Sequence, residues 1–386
     1  MSRFKDFSPR TISTGLLASF VGFASSFAIV LKGLSAVGAS PDQASSGLLA
    51  LSVAMGLGGI VLSAMHKMPI SVAWSTPGAA LLISTPAVDG GYNVAVGAFL
   101  ICAALLTLCG LWKPLGRWVA MIPTSLANAM LAGILLKLCL SPVQAIAQKP
   151  WQGLLIVVVW AVVARLNRLM AVPAAVAVAA IIIATELKSP QFGAFSPHLE
   201  WVMPQFSLAA MISIALPLFI VTMASQNIPG LAVLNVNGYK PAPGPLFLVT
   251  GLFSFLSAPF GGHAVNLSAL AAALCAGEEA HPDPQKRYWA AIITGFGYIA
   301  FGLCAGIVTA FVNVANPILI EAVAGLALMG SFSNSISGAL NNNDQREAAT
   351  LTFLVTASGL SFYGIGGAFW GLVAGGIMLG LRKWRA

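Results

Sequence analysis

Residues 254–277 read SFLSAPFGGHAVNLSALAAALCAG, two apolar arms separated by Pro259, Gly261, Gly262, His263 and Asn266. The surrounding chain is almost entirely compatible with hydrocarbon, so the interruption needs a physical reason. An unpaired amide in lipid costs several kcal/mol, and irregular backbone at membrane depth survives only where protein or a water-filled cavity surrounds it. A short helix opening near His263 would aim its free N–H groups and the positive end of its dipole into the protein interior. Secondary transporters hold anionic substrates in this way. The broken stretch is a candidate site.

Composition sets the class. Of 386 residues, 58% are hydrophobic and 8% charged, against roughly 25% charged in a soluble domain. The chain is expected to be an all-α polytopic membrane protein. Cys102, Cys109, Cys139, Cys275 and Cys304 all lie in apolar runs without metal-ligand or CxxC spacing, and read as small packing residues. The N-terminal MSRFKDFSPRT and the apolar run to Leu31 resemble a signal peptide. That run is too long for a usual signal core and lacks a small-x-small cleavage site, so it reads as an uncleaved first span.

A helix crosses a bilayer with about 20 apolar residues. Spans are expected near 11–31, 44–64, 92–111, 121–140, 149–165 and 169–186, then 207–234, 245–258, 289–310, 318–338, 348–361 and 364–381. Two shorter, interrupted segments, 69–84 (PISVAWSTPGAALLIS) and 259–276, bring the expected number of crossings to 14. With the N- and C-termini inside, 15 of the 19 Lys and Arg residues fall on the cytoplasmic side, and only Lys32, Lys137, Lys149 and Lys188 elsewhere. Omitting either interrupted segment would flip every later loop and destroy this positive-inside bias. The net charge of +8 then reflects basic loops facing anionic headgroups rather than a nucleic-acid partner.

The interrupted segments are third in each set of seven, and an odd number of spans per half turns the halves upside down relative to each other. The expected organisation is a first inverted repeat over 1–190, an outer linker over 191–206 and a second repeat over 207–386. Paired interrupted segments in matching positions point to a transporter's binding site. Ser75 and Thr76 precede Pro77 in one, a favourable first-turn residue for a helix; Asn266 and Ser268 stand at the corresponding bend in the other. Two half-helices from such repeats would direct their N-termini at each other, and their meeting point favours an anion. A pair of ordinary kinked helices without a ligand also fits this pattern.

Three blocks, VTMASQNIPGLAVLNVNGY (221–239), APFGGHAVNLSALAAALCAG (258–277) and HPDPQKRYW (281–289), resemble the BenE family of benzoate/proton symporters. The resemblance covers essentially the whole chain. It implies kinship with seven-plus-seven inverted-repeat carriers such as uracil permease, with a core domain (spans 1–4 and 8–11) moving against a gate domain (spans 5–7 and 12–14). It further implies a ligand held by Ser75 and Thr76, by His263 and Asn266, by Ser225, Gln226 and Asn227 ahead of a helix break at Pro229-Gly230, and by Ser25, Ser26 and Phe27 of span 1 beside Phe23. The nucleobase carriers place carboxylates on spans 8 and 10, where this chain has Ser225, Gln226 and Asn266. A site without negative charge suits an anionic substrate, because like charges repel strongly at short range in low dielectric.

The same change removes the obvious proton carrier. His263, the one histidine expected within the membrane, titrates in the right range. Glu321, about one turn into span 12, is the other candidate. Any of the serines and amides could instead bind neighbouring helices, and His263 could simply bond the backbone at the break. No HExxH, GxSxG or Walker sequence is present, and no enzymatic activity, cofactor or metal site is expected. The expected function is import of a benzoate-like aromatic carboxylate with protons across the bacterial inner membrane, with a homodimer as candidate assembly. The rivals are a carrier of a neutral nucleobase-like solute, or a channel.

Overall fold

The computed structural model describes residues 8–85, 90–112, 114, 123–186 and 198–384. Part of the linker, and the basic residues Arg3, Lys5, Lys113, Arg117, Lys188 and Arg385 used in the charge reading, lie outside them. Among the described residues seven helices are long and apolar enough to cross a membrane, or eight if one bent pair is a single span.

The chain starts with α1 (Pro9–Ala24), capped by Ser8, whose hydroxyl accepts from Thr11 N–H at 3.1 Å. After a two-residue break comes α2 (Phe27–Ala36). The break falls inside what the sequence suggests is one span. The hydroxyls of Ser25 and Ser26 donate to the Gly22 carbonyl, at 3.2 and 3.0 Å, and such back-bonding competes with the helical ladder and bends it. α3 (Pro41–His66) opens on a capping box formed by Ser40 and Gln43.

Both interrupted segments contain an extended stretch followed by a helix. β1 (Val72–Trp74) leads into α4 (Thr76–Ser84). Between them and the second segment lie α5 (Gly91–Leu111), α6 (Thr124–Gln148), α7 (Pro150–Leu166), α8 (Ala171–Glu186), the long α9 (Leu208–Val236) and α10 (Pro243–Ser257). β2 (Val265–Leu267) then leads into α11 (Ala269–Ala276). β1 and β2 pair antiparallel, Val72 against Leu267, Ala73 against Asn266 and Trp74 against Val265. Ser75 N–H donates to Ala264 O at 3.0 Å and Ser268 N–H to Ser71 O at 2.9 Å, closing the ladder at both ends.

A two-stranded ribbon still has bare edges, and in an apolar interior each bare amide is costly. Side chains cover them. Leu267 N–H donates to Asn227 Oδ1 at 2.9 Å, and Val265 N–H to Ser254 Oγ at 2.8 Å. Gly261, at φ 93°, makes the left-handed turn that leads the chain into β2; a Cβ there would also strike the Tyr92 hydroxyl.

The remaining elements are α12 (Tyr288–Gly302), α13 (Ala305–Val314), α14 (Pro317–Leu340), α15 (Arg346–Ala357), a small hairpin of β3 (Ser361–Phe362) and β4 (Ile365–Gly366), and α16 (Gly367–Trp384). α14 packs along α6, α12 along α3 and α10 along α5. α7 buries only Gly153 and Ile156 and exposes Trp151, Leu155, Val158 and Val162, an outer face that belongs against lipid tails.

Two local expectations differ from the structure. α9 is not broken at Pro229-Gly230; the helix continues, with wide π-turns over Met211–Ala215 and Met223–Asn227. Each π-turn ends two residues before a proline, Pro217 and Pro229. A proline ring clashes with the carbonyl four residues back, and a widened turn there relieves the clash without ending the helix. The span expected over 289–310 is instead bent by 55° between α12 and α13.

Candidate functional site

The antiparallel ladder places the N-termini of α4 and α11 at its two opposite ends, because each helix follows its own strand. Ser75 caps α4, accepting from Gly78 N–H at 3.1 Å; Ser268 caps α11, accepting from Ala271 N–H at 3.2 Å. Pro77 has no N–H. The first-turn donors that the caps do not take are those of Thr76, Ala269 and Leu270.

Beside this ladder lies a cavity of about 150 Å³. Thr76, Ser268 and Leu270 bring the two helix N-termini to it, and β1 adds Ala73 and Trp74. Gly22, Ser25 and Ser26 come from the α1–α2 break, Gln226 from the second π-turn of α9, and Met55 and Tyr298 from α3 and α12. Ala327, Leu328 and Ser331 of α14 form the remaining wall. Among the described residues, no lysine, arginine, aspartate or glutamate lines it. The cavity thus joins uncharged hydrogen-bond donors to an aromatic and aliphatic surface, and an apolar cavity of about this volume can hold benzene.

Of the residues the sequence singled out, Ser25, Ser26, Thr76 and Gln226 line the cavity. Ser26 is tied on both sides, accepting from Trp74 Nε1 at 2.8 Å while it donates to Gly22 O. Phe27 is buried and stacks on Phe23, which also stacks on Phe301 and meets Trp74 at a tilt. Ser225 donates to Val221 O of its own helix. Asn227 is spent on the ladder, its amide nitrogen 3.2 Å from Met223 Sδ. The Ser75 hydroxyl also accepts from the Thr222 hydroxyl at 3.0 Å.

His263 is fully buried, with Nε2 at 2.9 Å from the Ser75 carbonyl. A carbonyl can only accept, so Nε2 carries the hydrogen and the imidazole cross-links the two broken segments. Its Nδ1 has no partner among the described residues. Asn266 is equally buried; its amide donates to Leu267 O at 2.8 Å, and Oδ1 is unpartnered among the described residues. Glu321 forms an ion pair with Lys32, linking α14 to α2, with Ser141 Oγ of α6 at 3.4 Å from Oε2. Both charged side chains are about a quarter exposed.

Sequence reasoning did not assign Trp74, Ser268, Tyr298, Met55, Leu328 or Ser331 to the site. Ser268 had a legible signal, since it matches Ser75 as a half-helix cap. Tyr298 had none, because its helix is otherwise apolar, and Ser331 was not distinguishable from the other serines of the run SFSNSIS (331–337).

The architecture is that of known anion transporters. The transmembrane domain of a cyanobacterial bicarbonate transporter, BicA, superposes with a TM-score of 0.63 at 15% identity, covering 96% of this chain and 98% of that one. The murine Solute Carrier 26 family member A9 anion transporter, in its inward-facing state, gives 0.64 at 12% identity, over 98% of this chain and 69% of that one. At such low identities the likeness is one of fold. Family membership comes from sequence: residues 5–381 match the BenE family, described as benzoate membrane transport protein, and the chain belongs to it. Inner membrane protein YdcO of Escherichia coli is 40% identical over 375 residues, 96% of this chain and 95% of that one. The benzoate membrane transport protein of Acinetobacter baylyi is 30% identical over 376 residues, 96% and 94% respectively. The chain is a membrane protein of a transport family.

Proposed function

We propose that this protein is a secondary carrier that imports a small aromatic carboxylate of the benzoate type together with protons. The observation that carries the reading is the convergence of both half-helix N-termini on one uncharged cavity through Thr76 and Ser268. The carboxylate would accept from the first-turn N–H groups of α4 and α11, aided by their dipoles and by Gln226. The ring would lie against Trp74, Met55, Ala327 and Leu328. The Acinetobacter baylyi relative, named for benzoate transport, supports the choice of ligand.

The proposed topology is 14 crossings in two inverted halves, 1–190 and 207–386, joined by the outer linker 191–206, with both termini cytoplasmic. Helix packing supports it. Exchanging each span with the one seven later turns the α3–α12 contact (spans 2 and 11) into the α10–α5 contact (spans 9 and 4), and leaves β1–β2 and α6–α14 unchanged; all four contacts are present. In this reading spans 1–4 and 8–11 are the moving core and spans 5–7 and 12–14 the gate. α14 is then the gate's wall of the cavity.

Of the two proton-coupling candidates, geometry favours Glu321. It is partly exposed and paired with Lys32 across the proposed core–gate boundary, so protonation would loosen a contact that the transport motion must break. His263 is sealed and already engaged with the Ser75 carbonyl. The test is benzoate uptake into proteoliposomes with and without an imposed pH gradient. Saturable accumulation above equilibrium only with the gradient is expected. Gradient-independent, non-saturable flux would indicate a channel, and uracil competition a nucleobase carrier; either would overturn the proposal.

A further inference from the structure

The cavity carries more hydrogen-bonding capacity than a plain benzoate can use, and we infer that its substrate is an aromatic monocarboxylate bearing a ring hydroxyl, selected by Tyr298 and Ser331. This inference rests on the carboxylate-carrier reading above and narrows its ligand. Tyr298 is 1% exposed and lines the cavity; its hydroxyl lies against Gly22, another lining residue, and makes no hydrogen bond among the described residues. The phenol reaches this position because residue 22 of α1 is a glycine. A Cβ on Gly22 would fall 2.2 Å from Tyr298 Oη, a distance no side chain tolerates. The neighbouring hydroxyls of Ser25 and Ser26 already spend their hydrogens on the Gly22 carbonyl, so the Tyr298 hydroxyl is the open donor of this corner.

Ser331 is the only polar residue among the three that α14 contributes to the cavity. Its hydroxyl makes no hydrogen bond among the described residues; the Ser335 hydroxyl donates to its backbone carbonyl instead. Ala327, Leu328 and Ser331 are spaced four and three residues apart and share one helix face, so Ser331 stands beside the aliphatic surface assigned to the ring. The carboxylate is already provided for by the N-termini of α4 and α11. Tyr298 and Ser331, the lining hydroxyls left over, form the proposed second polar pole.

An unsubstituted ring would strip water from both hydroxyls and give nothing in return, and a buried polar group without a partner is costly. A ring hydroxyl donates to one and accepts from the other, replacing the water they would otherwise hold. A second carboxylate is the wrong ligand for this pole, because among the described residues no lysine or arginine lines the cavity to compensate it. Sites built to bond a substrate hydroxyl discriminate strongly against the analogue that lacks it. Here two neutral hydroxyls, one on the wall of the proposed gate, supply the discrimination.

The experiment is equilibrium binding of benzoate and of its 2-, 3- and 4-hydroxy derivatives to the purified full-length protein, with the variants Tyr298→Phe and Ser331→Ala. At least one hydroxybenzoate is expected to bind about tenfold or more tightly than benzoate. Tyr298→Phe and Ser331→Ala should each reduce the ratio of hydroxybenzoate to benzoate affinity severalfold. An unshifted melting temperature and gel-filtration profile certify that each variant is folded. If benzoate binds as well as every hydroxybenzoate, or the preference survives both substitutions, the second pole is refuted while the carboxylate site stands. If none of the four compounds binds the unaltered protein, the carboxylate-carrier reading falls, and this inference with it.

Discussion

Replacing Gln226 by glutamate puts a negative charge into the wall of a cavity proposed to hold an anion. A sphere of the cavity's 150 Å³ is about 6–7 Å across, which sets the scale of the separation between the new carboxylate and the ligand's own. At about 6.5 Å and an effective dielectric of about 20, two like charges repel by about 2.5 kcal/mol, which is roughly a 70-fold loss of affinity. Gln226→Ala is the necessary control. It removes the amide without adding charge and loses at most the bond to the carboxylate, about 1.5–3 kcal/mol. Gln226→Glu loses that bond too, so the ratio between the two variants isolates the repulsion. Benzoate binding at pH 8, where an ordinary glutamate is ionised, should be weaker for Gln226→Glu than for Gln226→Ala by that factor. Lowering the pH protonates the introduced carboxyl and removes the repulsion, so the glutamate variant should regain affinity toward acid while the alanine variant does not. Equal affinities for the two variants at pH 8 would show that no anion sits beside Gln226, and the site would have to be placed elsewhere.

Asn227→Ala strands the buried Leu267 N–H and should lower stability in detergent by about 1–3 kcal/mol, read as a fall in melting temperature; Ser225→Ala, which removes only a bond within its own helix, should shift it far less. Glu321→Gln should abolish accumulation driven by a pH gradient while leaving exchange of labelled for unlabelled benzoate intact. Persistence of gradient-driven accumulation in that variant would remove Glu321 from the proton route. His263→Gln keeps a donor toward the Ser75 carbonyl and should retain gradient-driven accumulation; its loss, with exchange preserved, would return the coupling role to His263. Gly22→Ala should abolish benzoate binding, because the added methyl collides with the Tyr298 hydroxyl and forces that ring into the cavity; unchanged affinity would mean the ring can move aside.

Much of the site's framework was legible in local sequence. Pro77, Pro259, Gly261 and Gly262 have backbone preferences that work against a continuous helix, and Ser75 and Ser268 are good caps for a helix that follows them. An apolar composition of 58% leaves no choice of solvent, and three blocks of residues point to the BenE family. These properties depend on a residue and its immediate neighbours along the chain.

Tertiary structure alone sorted the polar residues into those that bind the protein to itself and those that face the cavity. Ser225, Gln226 and Asn227 are consecutive and alike in polarity, yet one bonds its own helix, one lines the cavity and one closes the edge of a strand 40 residues away. The π-turn that separates them is a response to Pro229, and hydropathy does not register it. Tyr298 lies in a helix with no local anomaly and Ser331 in a run of like serines, and Lys32 meets Glu321 across 289 residues of sequence. In a dry interior every polar group must find a partner, and the partner is whichever group the fold brings within 3 Å. That choice is made by long-range packing, which no window of sequence contains.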